Sequence, residues 1–277
     1  MAVASGHRKT LVYTAAMSIV PPAARRPRRG IYLLPNLFTT GALFAGFFAI
    51  ISAMGGRFGD AVLAVFVAAV LDGLDGRVAR LTGTQSDFGV QYDSLSDLIS
   101  FGLAPSLILY SWSLSALSAY GPIWGRIGWT AAFLYAACAA LRLARFNTQV
   151  GVADKRYFQG LASPAAAGFT MIYLWAAQNL GWNGRELAFV TPFVAAAAAL
   201  LMVSRFRYFS FKAWPAGDRV PFMALFVVVL VLVALAIDPP RVAFGAILLY
   251  VLSGPVLTLW GLAMRQRQRR RVRGGAA

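Results

Sequence analysis

The chain has 277 residues, 59% of them hydrophobic and only 13% charged, with a mean hydropathy of +0.64. A soluble domain carries about 25% charged residues, so a soluble fold is excluded. One cysteine, Cys138, and one histidine, His7, leave no disulfide framework and no material for a thiolate or histidine zinc centre.

In chain order, residues 1–30 form a basic segment with His7, Arg8, Lys9, Arg25, Arg26, Arg28 and Arg29. It has no apolar h-region followed by a cleavage site, so it is not read as a signal peptide. It is expected to be a cytoplasmic extension, disordered or lying along the membrane surface. Residues 31–264 contain eight apolar segments, at 34–54, 59–80, 93–117, 127–147, 162–180, 187–204, 221–237 and 242–262. A helix of about 20 apolar residues crosses a bilayer, so the expected fold class is all-α, a polytopic membrane helical bundle of about eight transmembrane helices. Gly41, Ala45, Gly46 and the run Ala195–Ala199 permit close helix approach. Trp112, Trp124, Trp129, Trp182 and Trp260 suit the membrane interface. Residues 265–277 are a basic tail.

The net charge of +16 is unevenly placed. Under the eight-segment reading, Arg57, Arg126, Arg185 and Arg241 are the only cations on one side, and the other Lys and Arg residues share the opposite side. Lys and Arg stay cytoplasmic, so both termini are expected in the cytoplasm of an inner-membrane protein. The same distribution argues against nucleic acid as a partner and for anionic lipid headgroups near the tail.

Five of the ten acidic residues lie in one stretch, LDGLDGRVARLTGTQSDFGVQYDSLSD, and four of them, Asp72, Asp75, Asp93 and Asp97, fall at helical spacing. Carboxylates close to hydrocarbon are costly and are kept where they pair, bind a cation or do chemistry. On a helix, Asp72, Asp75, Gly76 and Ala79 share a face, and Gly89, Asp93 and Asp97 repeat at four-residue steps on the next helix. Two helix ends joined by a short loop can therefore aim four carboxylates at one another. One or two divalent cations would resolve their repulsion, and all-oxygen ligation favours Mg²⁺, Mn²⁺ or Ca²⁺. Gly73, Gly76, Ala79 and Gly89 clear space beside the acids, and Arg77 and Arg80 add positive charge. Together these features suit a phosphate-bearing substrate bridged through metal, with direct displacement at phosphorus and a carboxylate as base. A calcium loop would need a D-x-D-x-D-G pattern and a later Glu, which are absent. A cation transporter or a structural acid–arginine network is a rival reading, although a transport path gives the glycines and arginines no task.

The run D-G-L-D-G-R-V-A-R, eight residues, then G-V-Q-Y-D-S-L-S-D resembles the signature D-x-x-D-G-x-x-A-R-x8-G-x3-D-x3-D of the CDP-alcohol phosphotransferases. It fills every fixed position: Asp72, Asp75, Gly76, Ala79, Arg80, Gly89, Asp93 and Asp97. The flanks YLLPNLFTTGALFAGFFAI, GTQSDFGVQYDSLSDLISFGLAPS, LRLARFN and YFQGLASPAAAG, between Tyr32 and Gly168, are similar to the bacterial integral-membrane serine branch of that family. The resemblance implies transfer of a phosphatidyl group from CDP-diacylglycerol to L-serine, releasing CMP, with another alcohol (a polyol phosphate or choline) as the alternative acceptor. It further implies a homodimer with a cytoplasmic active site and two cations, Mg²⁺ or Mn²⁺. Asp72, Asp75 and Asp93 would hold one ion, and Asp72, Asp93 and Asp97 the other, with Asp97 also the base. Asn36, Thr39, Asp72, Gly73, Gly76, Ala79 and Arg80 would border the nucleotide.

Acceptor serine needs partners for its carboxylate and ammonium. Arg142, Arg145 and Asn147 end the fourth segment, and Gly160, Ser163 and Pro164 open the fifth. Arg142 or Arg145 is expected to bind the serine carboxylate or a phosphate, the alternative being contact with lipid headgroups. Ser94 and Ser96 are read as supports for the acids, because direct displacement needs no serine nucleophile.

Overall fold

The computed structural model describes residues 33–84, 86–148, 157–209 and 222–274. The N-terminal extension, Lys155, Arg156, Lys212 and Arg219 lie outside the described residues. Helix α1 (Leu33–Met54) has 22 residues, ~33 Å of rise, enough to cross the hydrocarbon. It ends at Gly55-Gly56, where Gly56 takes φ +73°, a left-handed value that a side chain disfavours. Helix α2 (Phe58–Thr82) then returns alongside α1. Ala42, Ala45, Ala49 and Ala53 line one face of α1 and are buried, as are Ala61, Val62, Ala64, Val65 and Ala68 of α2. Small residues on both faces let the backbones approach closely, which is how helices bind where no hydrophobic effect drives them together.

The next rod is composite. Helix α3 (Asp87–Asp97) begins at Ser86, whose Oγ accepts the backbone N–H of Gly89 at 3.1 Å. A π-helical segment, Leu98–Leu103, continues into α4 (Ala104–Trp112) and a 3₁₀ turn, Leu114–Tyr120. Helix α5 (Pro122–Thr148) follows, then α6 (Ser163–Asn179), α7 (Thr191–Val203), α8 (Phe222–Ile237) and α9 (Pro239–Gly274). Among the described residues these make eight helical rods in the order expected from hydropathy. The third rod starts six residues earlier than its apolar segment, because the polar stretch from Asp87 is also helical. No helix break separates the basic tail: α9 runs on to Gly274.

Among the described residues, four stretches are both long and apolar enough to cross a membrane: Pro35–Met54, Asp87–Tyr120, Pro122–Thr148 and Pro239–Thr258. Helix α2 has the length, but its last turns carry Asp72, Asp75, Arg77 and Arg80. Exposed Phe44, Phe47, Leu63, Val70, Phe133 and Leu230 present apolar surface to lipid. The protein is an integral membrane protein with an all-α body.

One feature was not legible in advance. Strands β1 (Tyr157–Gln159) and β2 (Arg207–Phe209) pair antiparallel, with Phe158 opposite Tyr208. This small ladder ties the segment before α6 to the segment after α7. One apolar cluster joins α1, α2, α4 and α6; the other joins α5, α6, α7, Tyr208 and Val251 of α9.

Candidate active site

The site forms where α1, the end of α2 and the start of α3 meet. Gly83 takes φ +62° and stops α2, its N–H bonding Ala79 O, and the Ser86 cap restarts the helix three residues later. This tight turn folds the two acid-bearing faces together. Asp72, Asp75 and Asp93 each offer an oxygen within 4.8 Å of the others. The Asp97 carboxyl reaches that of Asp72, as does that of Asp93, so Asp72 lies at the centre of the four.

Helix α1 supports this cluster through its polar atoms. Thr39, itself buried, donates its Oγ1–H to Asp75 Oδ2 at 2.8 Å, with Pro35 O a second acceptor at 3.1 Å. Its carbonyl accepts from Ser96 Oγ at 3.1 Å, and one turn on Ser100 Oγ donates to Ala42 O at 3.0 Å. Thr40 Oγ1 meets Tyr92 Oη at 2.9 Å. At Gly46 a Cβ would stand 2.5 Å from Ser100 Oγ, so only glycine lets the π-helical segment approach α1 this closely. Ser96 and Ser100 therefore lock the rod that carries Asp93 and Asp97 against α1.

A cleft of about 260 Å³ opens beside the acids. Pro35, Asn36 and Thr39 line it from α1, and Asp75, Gly76, Ala79 and Arg80 from α2. Thr84 and Ser86 of the turn and Gly89, Val90 and Asp93 of α3 close it. Arg80 folds back along α2 so that its Nη1 lies 3.6 Å from where a Gly76 Cβ would be. A Cβ at Gly89 would stand 3.2 Å from Ser86 Oγ and 3.6 Å from Asn36 Oδ1, so glycine keeps the cleft open there. Five of the seven residues expected at a nucleotide thus share one cleft. Asp72 lies with the acids instead, and Gly73 is exposed with nothing within 4 Å of an added Cβ. Pro35, Thr84, Ser86 and Val90 were missed; the Ser-Asp-Phe-Gly helix start was the available signal for Ser86.

The residues expected at the acceptor end divide. Arg142 Nη1 donates to Ser163 Oγ at 2.7 Å, its guanidinium lies in the field of Asp97, and its buried Nε has no partner. Asn147 Nδ2 donates to Ser94 Oγ at 2.9 Å, linking α5 to the acid-bearing helix. Arg145 turns the other way, donating to Gln159 Oε1 of β1 and to Val203 O at the end of α7. Gln159 was not singled out from sequence, although it lies in the flank YFQGLASPAAAG.

Among the described residues, the ion pairs are Arg57–Asp60 and Arg241–Asp238, and neither involves the four clustered aspartates. Asp93 Oδ1 is buried without a hydrogen-bond partner. Gathered carboxylates with no ion-pair partner among the described residues, one buried oxygen unmatched, and an all-oxygen donor set fit a hard divalent cation.

The family model of CDP-alcohol phosphatidyltransferases matches residues 32–204, more than half of the chain. The chain is 36% identical over 239 residues to the CDP-diacylglycerol--serine O-phosphatidyltransferase of Helicobacter pylori (strain ATCC 700392 / 26695), covering 84% of this chain and 94% of that protein. It is 32% identical over 197 residues to the enzyme of the same name from Methanocaldococcus jannaschii, covering 71% of this chain and 83% of the relative. With the one from Bacillus subtilis (strain 168) it is 34% identical over 179 residues, 65% of this chain and 91% of the relative. The matched segment runs from the helix that carries Thr39, through all four aspartates, to the end of α7: the chain belongs to the CDP-alcohol phosphatidyltransferase family.

Proposed function

We propose that this enzyme transfers the phosphatidyl group of CDP-diacylglycerol to L-serine, giving phosphatidylserine and CMP. The observation that carries the reading is a cluster of four carboxylates, none of them ion-paired among the described residues, beside a cleft walled by Gly76, Ala79 and Gly89, with Arg80 at its edge. The serine-specific names of the relatives support the choice of acceptor.

Asp72, Asp75 and Asp93 would hold one divalent cation and Asp72, Asp93 and Asp97 a second, with Mg²⁺ or Mn²⁺ suited to the oxygen donors. Such ions neutralise phosphate oxygens and lower the barrier to displacement at phosphorus. The protein's own residues do the rest. Asn36, Thr39, Gly76, Ala79 and Arg80 border the cytidine diphosphate, where the missing side chains admit the nucleotide close to the backbone. Arg80 offers charge to a phosphate. Asp97 takes the proton of the serine hydroxyl as its oxygen bonds to the diacylglycerol-bearing phosphorus, and the bond from that phosphorus to CMP breaks with its electron pair leaving on CMP. Arg142, beside Asp97 and with Nε unspent, binds the serine carboxylate. The basic side of the chain supports a cytoplasmic location for this site and both termini, and a homodimer is the proposed assembly.

An acceptor panel tests the reading. Purified protein is given CDP-diacylglycerol with serine, glycerol 3-phosphate, inositol phosphate or choline, and both lipid product and CMP are scored. Serine is expected to be strongly preferred, and chelation to stop CMP release. Preference for another alcohol overturns the serine assignment, and turnover that survives chelation overturns the cation-dependent mechanism.

A further inference from the structure

We infer that Tyr250 of α9 is a positioning residue for the acceptor, acting through Arg142; this rests on the reading of Arg142 as the serine carboxylate's partner. Helix α9 lies beyond residues 32–204, the segment matched to the family. Even so, it packs against α6, and Tyr250 lies within electrostatic reach of the Arg142 guanidinium, on which Asp97 also acts. Partly buried Tyr250 also packs against the apolar cluster that holds Cys138 and Ala139, one turn before Arg142 on α5, and Arg142 Nη1 donates to Ser163 of α6. Its buried Nε–H remains for a ligand. A guanidinium presents its donors in one fixed plane, so small changes in its tilt decide whether a carboxylate can dock.

Tyr250 is held at this height by a built contact. Its ring lies against Tyr208, centroids 5.6 Å apart. Tyr208 is completely buried and donates its hydroxyl to Val251 O at 3.0 Å. One turn past Tyr250, on the same face of α9, Gly254 passes so close to the Tyr208 ring that an added Cβ would stand 2.3 Å from Cζ. Tyr208 belongs to β2, whose partner strand β1 leads into α6 and Ser163. The β1–β2 ladder, Tyr208 and Gly254 thus fix α9 relative to the element that holds Arg142. Helix α9 packs against α6, α8 and β2, whereas the carboxylates that perform the chemistry sit on α2 and α3. Tyr250 should therefore govern how well the acceptor docks and leave the rate of the bound complex alone.

The test measures steady-state CMP release from CDP-diacylglycerol in mixed micelles with Tyr250→Phe, Gly254→Ala and Arg142→Gln. Tyr250→Phe keeps the ring on Tyr208 and removes only the hydroxyl. It is expected to raise KM for serine ~5- to 10-fold while kcat and KM for CDP-diacylglycerol stay within about two-fold. Gly254→Ala, which pushes α9 off Tyr208, should move the serine KM in the same direction. An unchanged serine KM in both variants, with Arg142→Gln raising it, overturns the role of Tyr250 and leaves the acceptor reading standing. An unchanged serine KM in Arg142→Gln overturns the acceptor reading itself. A fall in kcat equal to the loss in kcat/KM would show Tyr250 to be a structural residue of the whole site, and would also refute the inference.

Discussion

Thr39→Val probes how much the cation site depends on α1. Valine keeps the shape of threonine and removes one hydroxyl, so the buried Asp75 Oδ2 loses a donor at 2.8 Å without a cavity opening. A hydrogen bond to a charged group contributes about 1.5–3 kcal/mol. Two features place the effect at the low end of that range. The single Thr39 proton is shared with Pro35 O, and the backbone N–H of Gly76 also reaches the Asp75 carboxylate. A loss of about 1.5 kcal/mol corresponds to roughly a ten-fold weaker hold on the cation. The assay is CMP release titrated with Mg²⁺, and then with Mn²⁺, at saturating serine and CDP-diacylglycerol. The half-saturating cation concentration should rise roughly ten-fold, and high cation should restore most of the rate. The thermal stability of the purified protein should fall modestly, by about 1–3 kcal/mol, because the side chain keeps its volume but a buried carboxylate oxygen loses its donor. A variant with native cation dependence would refute the view that Thr39 orients Asp75. A variant that no concentration of cation rescues would mean that the hydroxyl serves the nucleotide instead.

Three further outcomes follow from the same geometry. Asp97→Asn and Asp93→Asn should each lower kcat by at least ~10³-fold, one removing the proton acceptor and the other a ligand shared by both proposed cations, measured as CMP release at saturating cation. Gly46→Ala should destabilise the protein by about 1–3 kcal/mol through overpacking against Ser100, read as a lower unfolding temperature in detergent, with activity falling because the rod carrying Asp93 and Asp97 shifts. Arg145→Ala should lower stability by about 1 kcal/mol and leave the serine KM within about two-fold, since its bonds run to Gln159 and Val203 O.

The acid cluster was readable because its chemistry is written at helical spacing: carboxylates three and four residues apart must share a face, and the glycines among them must leave that face open. Apolar length located the helices for the same local reason. What local pattern does not carry is the partner of each face. Nothing in the sequence around Thr39 says that its hydroxyl serves Asp75, thirty-six positions away. Arg142 and Arg145 look equivalent in sequence, both basic and both at the end of α5. They are three residues apart, about 60° short of a full turn, and this offset accompanies their different partners, Ser163 for one and Gln159 for the other. The β1–β2 ladder has no sequence signal because three-residue strands show no periodicity, and nothing local to Gly254 marks it as the glycine against which Tyr208 packs.

The wide turn at Leu98–Leu103 has a consequence for how this protein can change. A π-helical turn holds one amino acid more than the α-helical spiral needs. Deleting any single amino acid there would let the rod relax to ordinary α geometry, and α3 would swivel about 100° relative to α4. Asp93 and Asp97 would then face away from Asp72, though every one of them would still be present. The angular alignment of the carboxylates is stored in a single surplus position, and lineages that lose it must lose the chemistry as well.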